Sequence, residues 1–208
     1  GTALYLAAPV SGATLIDLST ATVLPGLIDA HTHVLLQGDI TSDDYDKQLL
    51  KESTPYRALR AAKSCKTALM NGFTTIRDLE TEGAMYADVD LKKAINNGVI
   101  DGPRMFVATR AINTTGRYGL SNRDYAWELR MPKGVQEITG ADEARRAVRE
   151  QISYGADWIK IYADGSYYKT PDGAWHSIPN FSQEEIGAIA EQTRMLRKKL
   201  SAHAVTRD

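Results

Sequence analysis

The sequence predicts an α/β fold in which strands and helices alternate along the chain. Three observations lead there. Five apolar or β-branched runs, at about residues 24–34, 73–79, 103–112, 157–163 and 200–205, have the length of strands. Segments with helical apolar spacing lie between them, and helix start and stop signals bound those segments. Strands alternating with helices in this way form parallel βαβ units. The pattern alone leaves a barrel and an open doubly wound sheet both in play. No Gly-x-Gly-x-x-Gly follows a strand, which disfavours a nucleotide-binding sheet.

The elements follow in order. Residues 1–23 hold two short apolar stretches, 3–8 and 14–18, read as strands separated by Pro9 and Ser11-Gly12. The turn pair Pro25-Gly26 sets the start of the first long strand. Thr54-Pro55 reads as N-cap and first helical residue of a helix ending near Asn71-Gly72, with Leu59, Ala62, Cys65 or Lys66, and Leu69 as its apolar stripe. The second strand follows, then a helix over 86–97 stopped by Asn97-Gly98. After the third strand comes a polar loop, 113–134, and a charged helix over 142–154 with Gly155 as its stop. Past the fourth strand, Ser182-Gln183-Glu184-Glu185 is a capping box opening a helix to about residue 199, ahead of the fifth strand.

Bulk composition narrows the partners. The 208 residues are 43% hydrophobic and 25% charged, an ordinary globular balance that permits one large domain or one domain plus part of another. The 25 basic and 26 acidic side chains leave a formal charge of −1, so neither nucleic acid nor an anionic membrane surface is an expected partner. No apolar run approaches the roughly 18 residues of a membrane span. The one cysteine, Cys65, excludes an internal disulfide framework and a cysteine-rich metal site, and reads as a small core residue. No signal peptide is visible, and the chain does not start with methionine, which leaves localisation open with a slight lean to the cytoplasm.

Chemistry-bearing residues recur at strand ends. His31 and His33 lie two apart on the first strand, so simple alternation points them the same way, with Asp29 behind them and Thr32 opposed. Two imidazoles on one face are half of a divalent-metal site. Trp158, Lys160 and Tyr162 share one face of the fourth strand, and Ile159 and Ile161 the other. If the isoleucines pack against helices, Lys160 points inward, either paired with Asp29 or another carboxylate or with its pKa lowered. His203 lies on the fifth strand, as a ligand or a satisfied core histidine. His176 falls in a turn-rich stretch, Gly173-Ala174-Trp175-His176-Ser177, flanked by Tyr167, Tyr168 and Trp175, and is read as a loop residue facing solvent or substrate. Arg77, Asp78 and Arg110 end the second and third strands, where they would form salt bridges or anchor a substrate carboxylate.

The string Pro25-Gly26-Leu27-Ile28-Asp29-Ala30-His31-Thr32-His33 resembles the first-strand signature of the amidohydrolase superfamily, in its imidazolonepropionase-like and prolidase-like branch. The similarity runs from about residue 12 to residue 208. It implies a TIM (β/α)8-type barrel of which this chain carries about the first five βα units. Residues 24–208 would form the N-terminal part of that barrel, and residues 1–23 a remnant of a small β-sandwich. The resemblance further implies two divalent ions, zinc foremost, held by His31, His33, Lys160 and His203. Lys160 would bridge them as a carbamate made with carbon dioxide, and Lys160 and His203 would be the catalytic pair. A metal-bridging hydroxide would then cleave a small amide or peptide substrate, such as a dipeptide, an N-acyl amino acid or a cyclic amide. Tyr162, Tyr168, His176 and Arg110 are the candidate substrate contacts.

Two departures stand against the family pattern. Some relatives carry Gly-His after Thr-Thr-Gly, where this chain has Thr114-Thr115-Gly116-Arg117-Tyr118. A sixth-strand histidine and an eighth-strand aspartate are not in the 208 residues, and five of eight strands cannot close a barrel. The expectation is an N-terminal portion, inactive alone, completed by the rest of the barrel, by a complementary chain or in a homo-oligomer. Two alternatives remain: a mononuclear deaminase-type relative, which would lack the bridging lysine, and an inactive half-barrel serving in binding or assembly.

Overall fold

The structure, a computed structural model, describes residues 11–38, 41–118, 123 and 125–206. Its elements run β1 (Leu27–Thr32), α1 (Ser42–Lys51), α2 (Thr54–Met70), β2 (Phe73–Asp78), α3 (Ala87–Asn96), β3 (Arg104–Val107), β4 (Ile112–Thr114), β5 (Gln136–Ile138), α4 (Ala141–Ser153), β6 (Trp158–Tyr162), β7 (Asp164–Lys169), β8 (Trp175–Pro179), α5 (Gln183–Met195) and β9 (Lys199–His203). One sheet has the order β1-β2-β3 and a second β5-β4-β6-β9, and every pairing in both is parallel. The Asp157 N–H donates to the Val107 carbonyl at 2.8 Å, and the Asp157 carboxylate accepts from the Val107 N–H at 2.9 Å. That exchange joins β3 to the start of β6, so the five long runs read from sequence lie side by side in chain order.

Helices cover one face of these strands. Ile159 and Ile161 are buried against Ala144, Ala147 and Val148 of α4 and Ala188 and Ile189 of α5. Ile76, Met105 and Val107 pack likewise with Ala61 and Cys65 of α2 and Leu91 of α3. Cys65 is the small core residue expected. The buried stripe of α2 is Arg57, Ala61 and Cys65, spaced by four, and not the stripe through Leu59, which is 76% exposed. An arginine heads the stripe because its guanidinium has buried carbonyls to bind. The N-cap of α2 is Ser53, one residue ahead of the expected Thr54.

Local signals explain the ends. A Cβ on Gly26 would lie 2.1 Å from Thr74 Oγ1, so the entry to β1 needs a glycine. The capping box on α5 is present: Ser182 Oγ accepts from the Glu185 N–H at 3.2 Å, and Glu185 returns a carboxylate oxygen to the Ser182 N–H at 2.8 Å. Replacing Ser182 with Ala should lower stability by about 1 kcal/mol, read as a lower urea midpoint with an unchanged slope. The helix stops at Met195, short of residue 199, because Arg197 takes φ 55° and the Lys198 N–H returns to the Thr193 carbonyl at 3.0 Å. That is a Schellman-type end built without glycine, which hides it from sequence reading.

Several expectations change. Residues 14–18 form no strand; Leu15 and Ile16 are 81% and 73% exposed, and no neighbouring strand among the described residues supplies ladder partners. The stretch 3–8 lies outside the described residues. The polar loop gives up its first residues to β4, and β5 pairs beside it. The His176 stretch is a strand: β7 and β8 form an antiparallel hairpin that opposes Tyr168 to His176 and Lys169 to Trp175. Thr170-Pro171-Asp172-Gly173 makes its turn, with Gly173 at φ 89°.

The chain passes two irregularities in β1, one between Leu27 and Ile28 and a second between Asp29 and Thr32. Asp29 pairs with Ile76 and Thr32 with Asp78, three steps on β1 against two on β2, which is a bulge. Ile28 and Ala30 line a cavity of about 490 Å³ with Thr75, Arg77 and Trp158, whereas Asp29, Thr32 and Val34 line one of about 850 Å³ against α2. Asp29 therefore lies on the helix side with Thr32, and not behind the histidines. The extra residue shifts the alternation by one, and Arg77 Nε fills the ladder by donating to the Ala30 carbonyl at 2.7 Å.

Candidate active site

The bulge presents His31 and His33 together. Their Nε2 atoms lie 3.2 Å apart. His33 Nδ1 sits 3.3 Å from the Glu80 carbonyl and 4.0 Å from Glu82 Oε1. A ring nitrogen against a carbonyl carries the proton, so Nε2 keeps its lone pair on the side facing His31. His31 is pushed down to about 4 by burial first, then by the positive charges of Lys160, His33, Arg77 and His203. It is neutral at pH 7, under the combined charge of His33 and of side chains on β2, β6 and β9.

Lys160 is 1% exposed, on the sheet face opposite Ile159 and Ile161. Its ammonium lies 5.3 Å from the Tyr162 ring centroid, and it makes no hydrogen bond or close ion pair among the described residues. Burial pushes its pKa down, with Arg77 adding to the effect and Glu80 and Glu82 opposing it. Neither Asp29 nor another carboxylate pairs with it among the described residues, which leaves, of the two readings offered by the sequence, the one without an ion pair. Trp158, on the same face, stacks under the Arg77 guanidinium at 4.3 Å and faces Lys199 at 5.3 Å.

Two glutamates that the sequence reading passed over sit at the centre. Glu80 and Glu82 follow β2 and are 0% and 4% exposed. With His33 they bring three donor atoms within 4.8 Å of one another. Three tyrosine hydroxyls serve them. Tyr45 donates to Glu82 at 3.0 Å, Tyr118 to Glu82 at 2.9 Å, and Tyr162 to Glu80 by a short hydrogen bond and to Glu82 at 3.3 Å. Burial and the neighbouring Glu82 push the Glu80 carboxyl well up, and its Oε1 has no hydrogen-bond partner among the described residues. Glu82 adopts φ 49°, a conformation rare outside glycine, which the surrounding contacts must hold. Those contacts include buried Arg57, whose guanidinium donates to the carbonyls of Leu35 at 2.9 Å, Thr81 at 3.1 Å and Glu82 at 2.8 Å. The signal available in sequence was Glu80-Thr81-Glu82-Gly83 at a strand end, two carboxylates on alternate positions.

The other candidates are placed as follows. His203, at the end of β9, lies 2.8 Å from the Tyr167 hydroxyl by its Nε2, with its ring 5.4 Å from that of Tyr162. Tyr162 thus stands between Lys160 and His203, its hydroxyl committed to the glutamates. Tyr168 stacks on His176 at 5.5 Å in the hairpin. Arg110 donates to the Val135 carbonyl at 2.9 Å and borders Tyr86, which does not bring it to the imidazoles. Arg77, Asp78 and Arg110 form no salt bridge among the described residues. Arg77 and Arg110 bind carbonyls, while Asp78 accepts from the Val34 N–H at 2.8 Å and clamps the end of β1 to β2.

Comparison with known proteins identifies the family of this fold. The family model for the amidohydrolase family covers residues 22–208. The chain is 33% identical over 199 residues to ochratoxinase of Aspergillus niger, covering 87% of this chain and 38% of that protein. A crystal structure of an amidohydrolase superposes with a TM-score of 0.73 at 33% identity, over 95% of this chain and 47% of the other. A Xaa-Pro dipeptidase with bound methionine superposes with a TM-score of 0.66 at 29% identity, over 86% of this chain and 43% of the other. The chain therefore spans less than half the length of these relatives. With a family model matching residues 22–208 and parallel β/α units that superpose on a solved amidohydrolase, it belongs to the amidohydrolase family.

Proposed function

We propose that this chain carries the N-terminal half of the active site of a metal-dependent hydrolase that cleaves amide or peptide C–N bonds. The observation that carries the reading is the meeting of the His31 and His33 Nε2 atoms at 3.2 Å near a buried lysine without a hydrogen-bond partner among the described residues. The donor set fits divalent ions of the zinc type: neutral imidazoles and oxygen ligands, with no thiolate near. His31 and His33 would hold one ion, His203 a second, and Lys160 would join them as a carbamate. Carbamate formation requires an unprotonated amine, which the burial of Lys160 favours. When bound, such ions supply an activated water near neutral pH and polarise the scissile carbonyl.

The protein's own groups do the positioning. The Glu80 carbonyl fixes the tautomer of His33 and so the nitrogen it presents, with Glu82 behind it. This supports Glu80 and Glu82 as an outer layer around His33, held in turn by Tyr45, Tyr118 and Tyr162. The hairpin aromatics Tyr168 and His176 stand where a substrate side chain would be met. The likeness to a Xaa-Pro dipeptidase and to ochratoxinase supports a small amide or peptide substrate, with dipeptides a first choice. The greater length of these relatives supports completion of the barrel beyond β9, by further chain or a complementary one.

Calorimetric titration of the 208-residue chain with zinc in bicarbonate buffer tests the proposal. Two ions per chain are expected, with His31→Ala losing at least one. One ion unaffected by loss of Lys160 would favour the mononuclear relative, and no binding would overturn the metal-site reading.

A further inference from the structure

We propose that Tyr167 and Asp164 are positioning residues for His203, a relay that decides which ring nitrogen carries the proton. Asp164 opens β7 and is 4% exposed. One of its oxygens, Oδ2, accepts from the backbone N–H groups of Val205 at 2.8 Å and Thr206 at 3.4 Å. The other, Oδ1, accepts the Tyr167 hydroxyl proton at 2.9 Å. Tyr167 has a single proton, and the carboxylate takes it. The 2.8 Å contact between the Tyr167 oxygen and His203 Nε2 then has one consistent direction: Nε2–H donates and the oxygen accepts. His203 is left with its lone pair on Nδ1.

The relay has a rigid base. Asn180 closes the hairpin, its N–H donating to the Ala163 carbonyl at 2.8 Å and its side-chain amide to the Tyr162 carbonyl at 3.0 Å. Thr114 Oγ1 donates to the Asn180 carbonyl at 2.8 Å. Asp164 also ties the chain just after β9 through Val205, so both ends of the His203 contact are fixed to the same carboxylate. Positions 33 and 203 thus reach their tautomers differently. His33 is set by a backbone carbonyl, whereas His203 depends on a side chain delivered by a hairpin outside the sheet.

The relay's effect on the ring stands on this geometry, while its effect on metal rests on the hydrolase reading above. Both are measured on the full chain. With nitrogen-15 histidine at mildly alkaline pH, and His203 assigned by His203→Gln, the wild type should show the Nε2–H form with an imidazole proton slow enough in exchange to observe. In Asp164→Asn the amide oxygen stays with the two backbone N–H groups and its NH2 turns to Tyr167. Tyr167 must then donate to Nε2, and His203 should switch to the Nδ1–H form. Tyr167→Phe should lose the observable imidazole proton and bind zinc about 10–100-fold more weakly, as loss of a ligand's outer partner does. An unchanged Nε2–H form in Asp164→Asn together with an unchanged proton in Tyr167→Phe overturns the relay. If the tautomer switches but the wild type binds no zinc, the relay stands and the metal-site reading falls. If zinc binds and is lost in His203→Gln while the tautomer ignores both variants, the relay falls and the metal-site reading stands.

Discussion

Lys160→Met should abolish binding of at least one zinc ion while leaving the apo-protein as stable as before or about 1 kcal/mol more stable. The two effects separate because Lys160 occupies a costly place. Its ammonium is out of water and makes no hydrogen bond among the described residues, so folding gains little from the charge. Methionine keeps most of the stem that packs beside the Tyr162 ring and removes the desolvated head. A residue kept for structure would show the reverse pattern, with stability lost and zinc retained. Calorimetric zinc titration and urea unfolding on the same preparation decide between them, and unchanged zinc stoichiometry would argue against the carbamate.

Arg57→Ala is expected to cost about 3–5 kcal/mol. Three buried carbonyls depend on this guanidinium, at Leu35, Thr81 and Glu82. Two of them belong to the turn that carries Glu80 and Glu82 into the site. Against a typical total of about 5–15 kcal/mol, the loss is a large share of stability. Arg57→Lys should recover only part of it, because one ammonium cannot span the fork that reaches three acceptors. A shift in the urea midpoint equivalent to less than about 1 kcal/mol would show that water replaces the side chain. The tyrosines around Glu82 should also lose their ordered contacts in Arg57→Ala, visible as a changed near-ultraviolet dichroism.

Much of this was legible in the sequence, for physical reasons. Runs such as 157–163 carry both faces of their strand openly: isoleucines for the helices, and tryptophan, lysine and tyrosine for the interior. The capping box of α5 and the Pro-Gly entry to β1 are local chemistry, and local chemistry survives folding. What escaped depends on distant partners. Helix α1 has almost no stripe, burying Gln48 and Leu49, and forms by cap and docking. Arg57 drew no reading because nothing nearby in sequence announces three buried carbonyls. Glu80 and Glu82 were passed over because the groups that close over them, Tyr45, Tyr118 and Tyr162, lie up to 82 positions away. The hairpin was misread because its aromatic strands flank a Pro-Asp-Gly turn rich enough to resemble plain loop.

The extra step in β1 has a consequence for how this segment can change over time. Between Asp29 and Thr32 the chain counts its residues, since both imidazoles owe their heading to one surplus position. Pleating the same residues straight through, without the extra step, would swing the pair toward α2, while every residue proposed as a ligand would still be present in the text of the gene. The step itself is as much a part of the proposed site as composition, and a lineage could fall silent here without losing one proposed ligand.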